Sequence, residues 1–125
     1  MSEKKFATVI NCMDGRVQIP VNDWIRKEYG VDCVDTITEP GPNRILAEKG
    51  EATESIKIRV LISVNKHGSK HIAIAGHHDC AGNPVKRELQ MKHISEAINV
   101  VKSWGLNISV IGLWVDENWN VNRLE

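Results

Sequence analysis

A chain of 125 residues in which sixteen Lys and Arg offset sixteen Asp and Glu has no net field to recruit nucleic acid or anionic lipid. Its 42% apolar and 26% charged content is that of a globular protein, and its length fits one domain, expected over residues 1–125. Met1-Ser2-Glu3-Lys4-Lys5 contains no signal-type apolar region and no run reaches bilayer length, so a cytoplasmic protein with three reduced cysteines and no membrane partner is expected.

Phe6 to Ile10 is short, β-prone and almost continuously apolar, as in a strand buried on both faces. It runs into Asn11-Cys12-Met13-Asp14-Gly15-Arg16, where Gly15 allows a sharp exit from the sheet. Val17 to Tyr29 reads as a helix stopped by Gly30, with Pro20 near its first turn, where the regular helix could begin. Val31 to Thr38 reads as a second strand. Glu39-Pro40-Gly41-Pro42-Asn43 reads as a loop, since two prolines around a glycine suit neither helix nor central strand.

Arg44 to Lys49 is a short helical piece ended by Gly50. Ile56, Val60 and Val64, widened by Ile58, Leu61 and Ile62, put an amphipathic helix over Glu51 to Lys66, closed by His67-Gly68. The charges on its outer face read as solvation. His71 to Ala75 is a third strand leading into Gly76-His77-His78-Asp79-Cys80-Ala81-Gly82. Asn83 is placed to cap the next helix, with Pro84 at its first position. Met91, Ile94, Ala97, Ile98, Val101 and Trp104 mark one face of that helix, and Gly105 ends it. Asn107 to Val115 is a fourth strand, and Trp119 to Leu124 is a possible short edge strand after an Asp116-Glu117-Asn118 turn.

This alternation predicts an α/β fold: a mostly parallel central sheet of four strands plus the edge strand, with helices on both faces. Ligands of such sheets bind beyond the carboxyl ends of the strands, and Cys12, Glu39, His77 and Asp116 all fall there. Cys12, His77 and Cys80 offer two thiolates and one imidazole, a set suited to zinc, and three protein ligands leave a fourth position open. Iron–sulfur ligation usually takes four cysteines. Asp14 and Arg16, two apart in what reads as an extended segment, point the same way. An arginine fork there would hold the carboxylate ionised and directed. Without that grip Asp14 could swing onto the metal and fill its fourth position.

Cys12-x-Asp14-x-Arg16 followed by His77-x-x-Cys80, inside the glycine-flanked turn Gly76 to Gly82, resembles the β-class carbonic anhydrases. So does Val110-Ile111-Gly112-Leu113-Trp114-Val115-Asp116, which is similar to that family's last core strand. The resemblance spans roughly residues 6 to 125 and marks a short member without the N-terminal helical arm. It implies zinc held by Cys12, His77 and Cys80, and Asp14 and Arg16 as a catalytic dyad. It further implies reversible hydration of carbon dioxide to bicarbonate by a zinc-bound hydroxide that the dyad orients, in a homodimer or higher homo-oligomer. Where many members carry Arg-Asn-Ala-Gly after the second strand, this chain has Glu39 to Asn43. A hydrogen-bonding glutamine that members often supply before the first strand has no clear counterpart in Met1 to Lys5. Two other readings stand beside this one: a hydrolase of carbon disulfide or carbonyl sulfide on the same scaffold, and a zinc-binding domain without catalysis. Cys33 reads as a small core residue, His78 as a packing or hydrogen-bonding residue turned from the metal, and His67, His71 and His93 as surface or satisfied histidines. Trp104, Trp114 and Trp119 read as core or subunit-interface aromatics.

Overall fold

A computed structural model describes residues 4–124; Met1–Glu3, on which part of the expectation for Met1 to Lys5 falls, and Glu125 lie outside the described residues. Along the described chain run β1 (Phe6–Cys12), α1 (Gln18–Tyr29), β2 (Cys33–Glu39), α2 (Pro42–Glu48), α3 (Glu51–His67), β3 (His71–His77), α4 (Arg87–Lys102), β4 (Ser109–Val115) and β5 (Val121–Leu124). They form one sheet in the order β2-β1-β3-β4-β5, parallel through β4, with β5 added antiparallel at the edge. This is the expected α/β architecture, edge strand included. Among the described residues no helix is long and apolar enough to cross a membrane.

The central strands are apolar at almost every position because both of their faces are covered. Alternate residues of β1 serve the two layers. Ala7 and Val9 pack with Val17, Val21 and Ile25 at and within α1, while Ile10 joins Ile72, Ile74, Ile56, Val60 and Leu46 beneath α2 and α3. Ala97, Val100 and Val101 of α4 extend this second layer. Thr8 is fully buried between them, and its hydroxyl is satisfied by Ser63 Oγ at 2.6 Å and Ser69 Oγ at 2.7 Å.

Several element ends differ from the sequence expectation. β1 and β3 each run two residues further, to Cys12 and His77. Hydrophobic patterning stops at Ile10 and Ala75, but ladder pairing carries on: Cys12 pairs with Glu39, and Gly76 and His77 with Trp114 and Val115. Pro42 and Asn43 are not loop but the start of α2. Gly41 makes the turn at φ 63°, and Pro42 takes the first helical position, where its missing N–H costs nothing. Asn83 does not cap α4, which starts three residues past Pro84, at Arg87. The Asn83 amide is drawn inward instead, donating to Asn43 Oδ1 at 3.3 Å and His93 Nδ1 at 2.9 Å. The regular part of α1 begins at Gln18, with Pro20 inside its first turn, and α4 ends at Lys102, before Trp104. β2 begins at Cys33 rather than Val31. Asn107 at φ 58° and Trp119 at φ 62° cannot extend a ladder, so β4 and β5 start later than expected.

Two loops cross at the carboxyl end of the sheet with backbone against backbone. A Cβ on Gly82 would stand 2.3 Å from the Pro40 carbonyl carbon, and one on Gly41 would stand 2.8 Å from that of Gly82. Neither obstacle is a flexible side-chain end, so the crossing must open if a methyl group is inserted. Gly82→Ala is expected to destabilise the fold by about 1–3 kcal/mol, read from the midpoint of urea unfolding against the wild-type chain.

Candidate metal centre

β1 and β3 are neighbours in the sheet, yet the helices that follow them lie on opposite faces, α1 on one and α4 on the other. Their carboxyl ends therefore border a crevice that no crossover covers, which is where ligands of such sheets sit. Cys12 is the last residue of β1 and His77 the last of β3, so the crevice receives one side chain from each. Cys80 is returned to it by the turn after β3, in which Asp79 takes φ 58°.

Cys12 Sγ, a ring nitrogen of His77 and Cys80 Sγ lie within 4.8 Å of one another, and all three residues are buried. The two sulfurs are 3.8 Å apart. Two thiolates on tetrahedral zinc, each at about 2.3 Å from the metal, stand about 3.8 Å apart, so the spacing needs no rearrangement. His77 points the same way. Its Nδ1 donates to the His78 carbonyl oxygen at 2.7 Å, since a carbonyl can only accept. That leaves Nε2 with a free lone pair, buried and without a hydrogen-bond partner. A buried imidazole nitrogen oriented by a carbonyl and aimed at two sulfurs is the ligand arrangement of a zinc site. The residues fit that ion.

The electrostatics agree with a site prepared for a cation. The Cys12 thiol is held well below its usual range, first by its interaction with Cys80, with further help from His77 and from the N–H groups of Gly41 and Asp14 against the cost of burial. Cys80 moves the other way, because Cys12 already carries the charge the pair can tolerate and burial adds to it. For His77, burial favours the neutral ring, but Cys12 and the His78 carbonyl outweigh it and raise the pKa. Binding a divalent cation would displace these shared protons.

Asp14 and Arg16 stand beside this cluster without joining it. The segment is not extended as expected. Asp14 instead caps a short 3₁₀ turn, Gly15–Val17, with Oδ1 accepting from the Arg16 backbone N–H at 2.8 Å. Asp14 Oδ2 accepts from Arg16 Nη2 at 2.7 Å and Oδ1 from Nε at 3.0 Å, a fork on a carboxylate. The Arg16 side chain is the main cause that brings the Asp14 pKa down to about 2, and it outweighs the opposing effect of burial. Gln18 braces the same segment, donating to the Cys12 carbonyl at 2.6 Å and the Asp14 carbonyl at 3.1 Å.

Other strand-end residues go elsewhere. Glu39 pairs with Arg59 of α3, and Asp116 folds into the β4–β5 turn, where Oδ1 accepts from the N–H groups of Asn118 and Asn120. His78 is exposed, and its N–H donates to the Val115 carbonyl. His67 pairs with Asp35, His71 stacks on Tyr29, and Cys33 is half-buried. Trp114 is a core residue. Trp119 packs against the core layer beside α1, as expected, and its ring also lies over the Arg16 guanidinium, 4.6 Å from the ring centroid. Sequence reasoning also missed Asn43 and Gln90. They form a buried amide network with Asn83 behind the metal turn, with Asn43 donating to Gln90 Oε1 at 2.9 Å and Gln90 Nε2 to the Asn83 carbonyl at 3.0 Å. A polar residue at every buried helix position is indistinguishable by pattern from one on a solvated face, so only Gln90's place beside the apolar Ile94 hinted at it.

A family model described as "Putative carbonic anhydrase" matches residues 2–125. Among solved structures, a carbonic anhydrase from Glaciozyma antarctica superposes with a TM-score of 0.62 at 16% identity, covering 97% of this chain and 82% of that one. Structures described as tetrameric beta-carbonic anhydrases from Sordaria macrospora give 0.63 at 12% identity, covering 99% and 82%. The beta-carbonic anhydrase of Aspergillus fumigatus gives 0.54 at 15%, covering 99% and 76%. At these identities the structures speak for the fold. No curated protein matches the sequence.

Two outcomes follow from this geometry. Purified protein is expected to bind about one zinc per chain, falling to trace levels in Cys12→Ser and Cys80→Ser, as measured by atomic emission on gel-filtered samples. In Arg16→Gln the Asp14 carboxyl should rise from about 2 toward the ordinary value near 3.9, because the depression comes chiefly from the guanidinium, as followed by carbon NMR of the labelled carboxyl.

Proposed function

This chain belongs to the carbonic anhydrase family whose model matches residues 2–125, and from that we propose that it hydrates carbon dioxide reversibly to bicarbonate. In this reading Cys12, His77 and Cys80 hold zinc, and Asp14 and Arg16 are the catalytic pair. When bound, the zinc supplies Lewis acidity that lets water act as a nucleophile near neutral pH.

The observation that carries the reading is the separation of Asp14 from the metal-ligand cluster. Arg16 takes both carboxylate oxygens, while the three other residues converge on their own point. Oδ1 is taken by the Arg16 backbone N–H and Nε, so the acceptor capacity left on Asp14 is at Oδ2, beside Nη2, and the carboxyl stays anionic near neutral pH. It can accept a hydrogen bond from the attacking hydroxyl and turn that group's own lone pair toward the substrate carbon. Arg16 would keep the carboxylate directed away from the point on which Cys12, His77 and Cys80 converge. His77, oriented through Nδ1 by the His78 carbonyl, presents Nε2 without a search among rotamers. The enzyme supplies position and a fixed acceptor, and the reaction adds no covalent intermediate on the protein.

The protein is read as one domain acting on a small neutral substrate and its anion, in the cytoplasm and within a homo-oligomer. The relatives from Sordaria macrospora are described as tetrameric, which supports the last point. Stopped-flow hydration of carbon dioxide, with zinc content measured on the same sample, tests the proposal. The zinc-loaded wild type should accelerate hydration far above buffer, and Asp14→Asn should lower kcat/KM by about a hundredfold or more while retaining zinc. Background rates in a zinc-loaded sample, or sulfide release from carbonyl sulfide with no hydration, would overturn it.

A further inference from the structure

We propose that Trp119, together with Asp79, is a positioning residue that holds the Arg16 guanidinium in the plane from which it grips Asp14; the proposal rests on reading Asp14 and Arg16 as the catalytic pair. The Arg16 side chain is 47% exposed, and the bond to Asp14 alone fixes only one edge of it. An exposed arginine so held would sample many rotamers, and each excursion would release the carboxylate.

The structure closes off those excursions on two further sides. Trp119 covers one face of the guanidinium, with Cζ 4.6 Å from the indole centroid, within reach of cation–π attraction. Asp79 meets the outer edge: Nη1 donates to Asp79 Oδ2 at 3.3 Å and Nη2 to the Asp79 carbonyl at 3.2 Å. Asp14, Asp79 and the ring thus constrain the fork on both edges and one face. Each comes from a different part of the chain: the turn after β1, the turn after β3 and the turn between β4 and β5.

The backbone argues that this placement is specific. Among the described residues four that are not glycine take positive φ, and two of them are Asp79 at 58° and Trp119 at 62°. The left-handed region is uncommon for a bulky side chain, and such a residue persists only where its surroundings over-determine it. At Trp119 the turn does so. Its N–H donates to the Asp116 carbonyl at 2.9 Å, and Asp116 Oδ1 accepts from the N–H groups of Asn118 and Asn120, each at 3.0 Å. Glycine would satisfy that turn without strain. An indole there packs one part of its ring on the core layer beside α1 and stands over Arg16, within 6.4 Å of the His77 ring, so the position does more than turn the chain. The β4–β5 turn is therefore part of the site, although it contributes no metal ligand.

The test uses the full-length zinc-loaded chain with Trp119→Ala, Trp119→Phe and Asp79→Ala, and its main readout is solvent exchange of the Arg16 Nε–H by nitrogen-15 NMR. In Trp119→Ala, exchange should rise and kcat fall by about three- to fivefold with KM unchanged, the size expected for loss of one exposed cation–π contact. Trp119→Phe, which restores a ring face, should recover most of both, and Asp79→Ala should raise exchange to a similar degree. Wild-type exchange in a folded Trp119→Ala, or a Phe variant as defective as the alanine one, would overturn the proposal. Should the alanine variant fail to fold, the phenylalanine and Asp79 variants decide it by the same exchange rates. A wild type with slow Arg16 exchange but no hydration would sink the proposed reaction and leave the clamp standing.

Discussion

The parallel pairing of β1 with β3, in the register Ile10 to Ile74, governs the candidate metal centre, because it brings Cys12 and His77, 65 positions apart, to the same end of one sheet. Beyond that pairing the two chains leave to opposite faces, and the crevice between them is formed by topology before any side chain enters it. Shifting β3 by one residue would turn His77 to the wrong face and put Gly76 in its place. The dense apolar layers on both sides of β1 and β3 forbid such a slip, since it would exchange every inward residue for its neighbour. Core packing is thus what sets the ligand geometry.

The third member of the candidate site, Cys80, depends on a different device. Cys80 lies in a turn, and turns are ordinarily the least constrained parts of a fold. Here the turn is pinned from below by the loop that crosses it at Gly41 and Gly82, and from behind by the amides of Asn43, Asn83 and Gln90. Buried amides tie segments together with directional bonds that apolar contact cannot supply, provided that their partners are present. The stretch after β2, from Pro40 to Asn43, is the stretch that makes this crossing. Its role in this chain is mechanical: Pro42 begins α2, Asn43 anchors the amide network, and Gly41 provides the close approach.

Around the dyad the same economy recurs at the surface. Asp14 both caps the turn that follows β1 and accepts the Arg16 fork, so one carboxylate organises backbone and side chain together. Trp119 and Asp79 then limit the arginine from outside, each in a backbone conformation that local preference disfavours. A turn that bends where glycine would serve, but carries tryptophan, is a place where local propensity and the global arrangement disagree. Such disagreements are expected at functional sites.

Hydrophobic periodicity was enough to place the strands, the helices and their alternation, because burial on both faces of a parallel sheet leaves a continuous apolar signature. Ligand chemistry was enough to single out Cys12, His77 and Cys80, since two thiols and an imidazole at strand ends have few other uses together. Periodicity ended β1 and β3 too early, at Ile10 and Ala75, because ladder pairing continues under polar side chains and glycine where no apolar pattern marks it. It also gave Asn83 a capping role that a buried partner, Asn43, overrides. Glu39 and Asp116 stood at strand ends like the ligands, and only three-dimensional neighbours, Arg59 and the β4–β5 turn, drew them away. The sequence by itself determined which chemistry is available and at which end of the sheet it lies, because residue type and strand order are local facts. Tertiary structure alone decided that the Asp14–Arg16 pair stands apart from the point where Cys12, His77 and Cys80 converge, and that Trp119 closes over that pair. Those relations depend on distances between turns far apart in the chain, which no local pattern encodes.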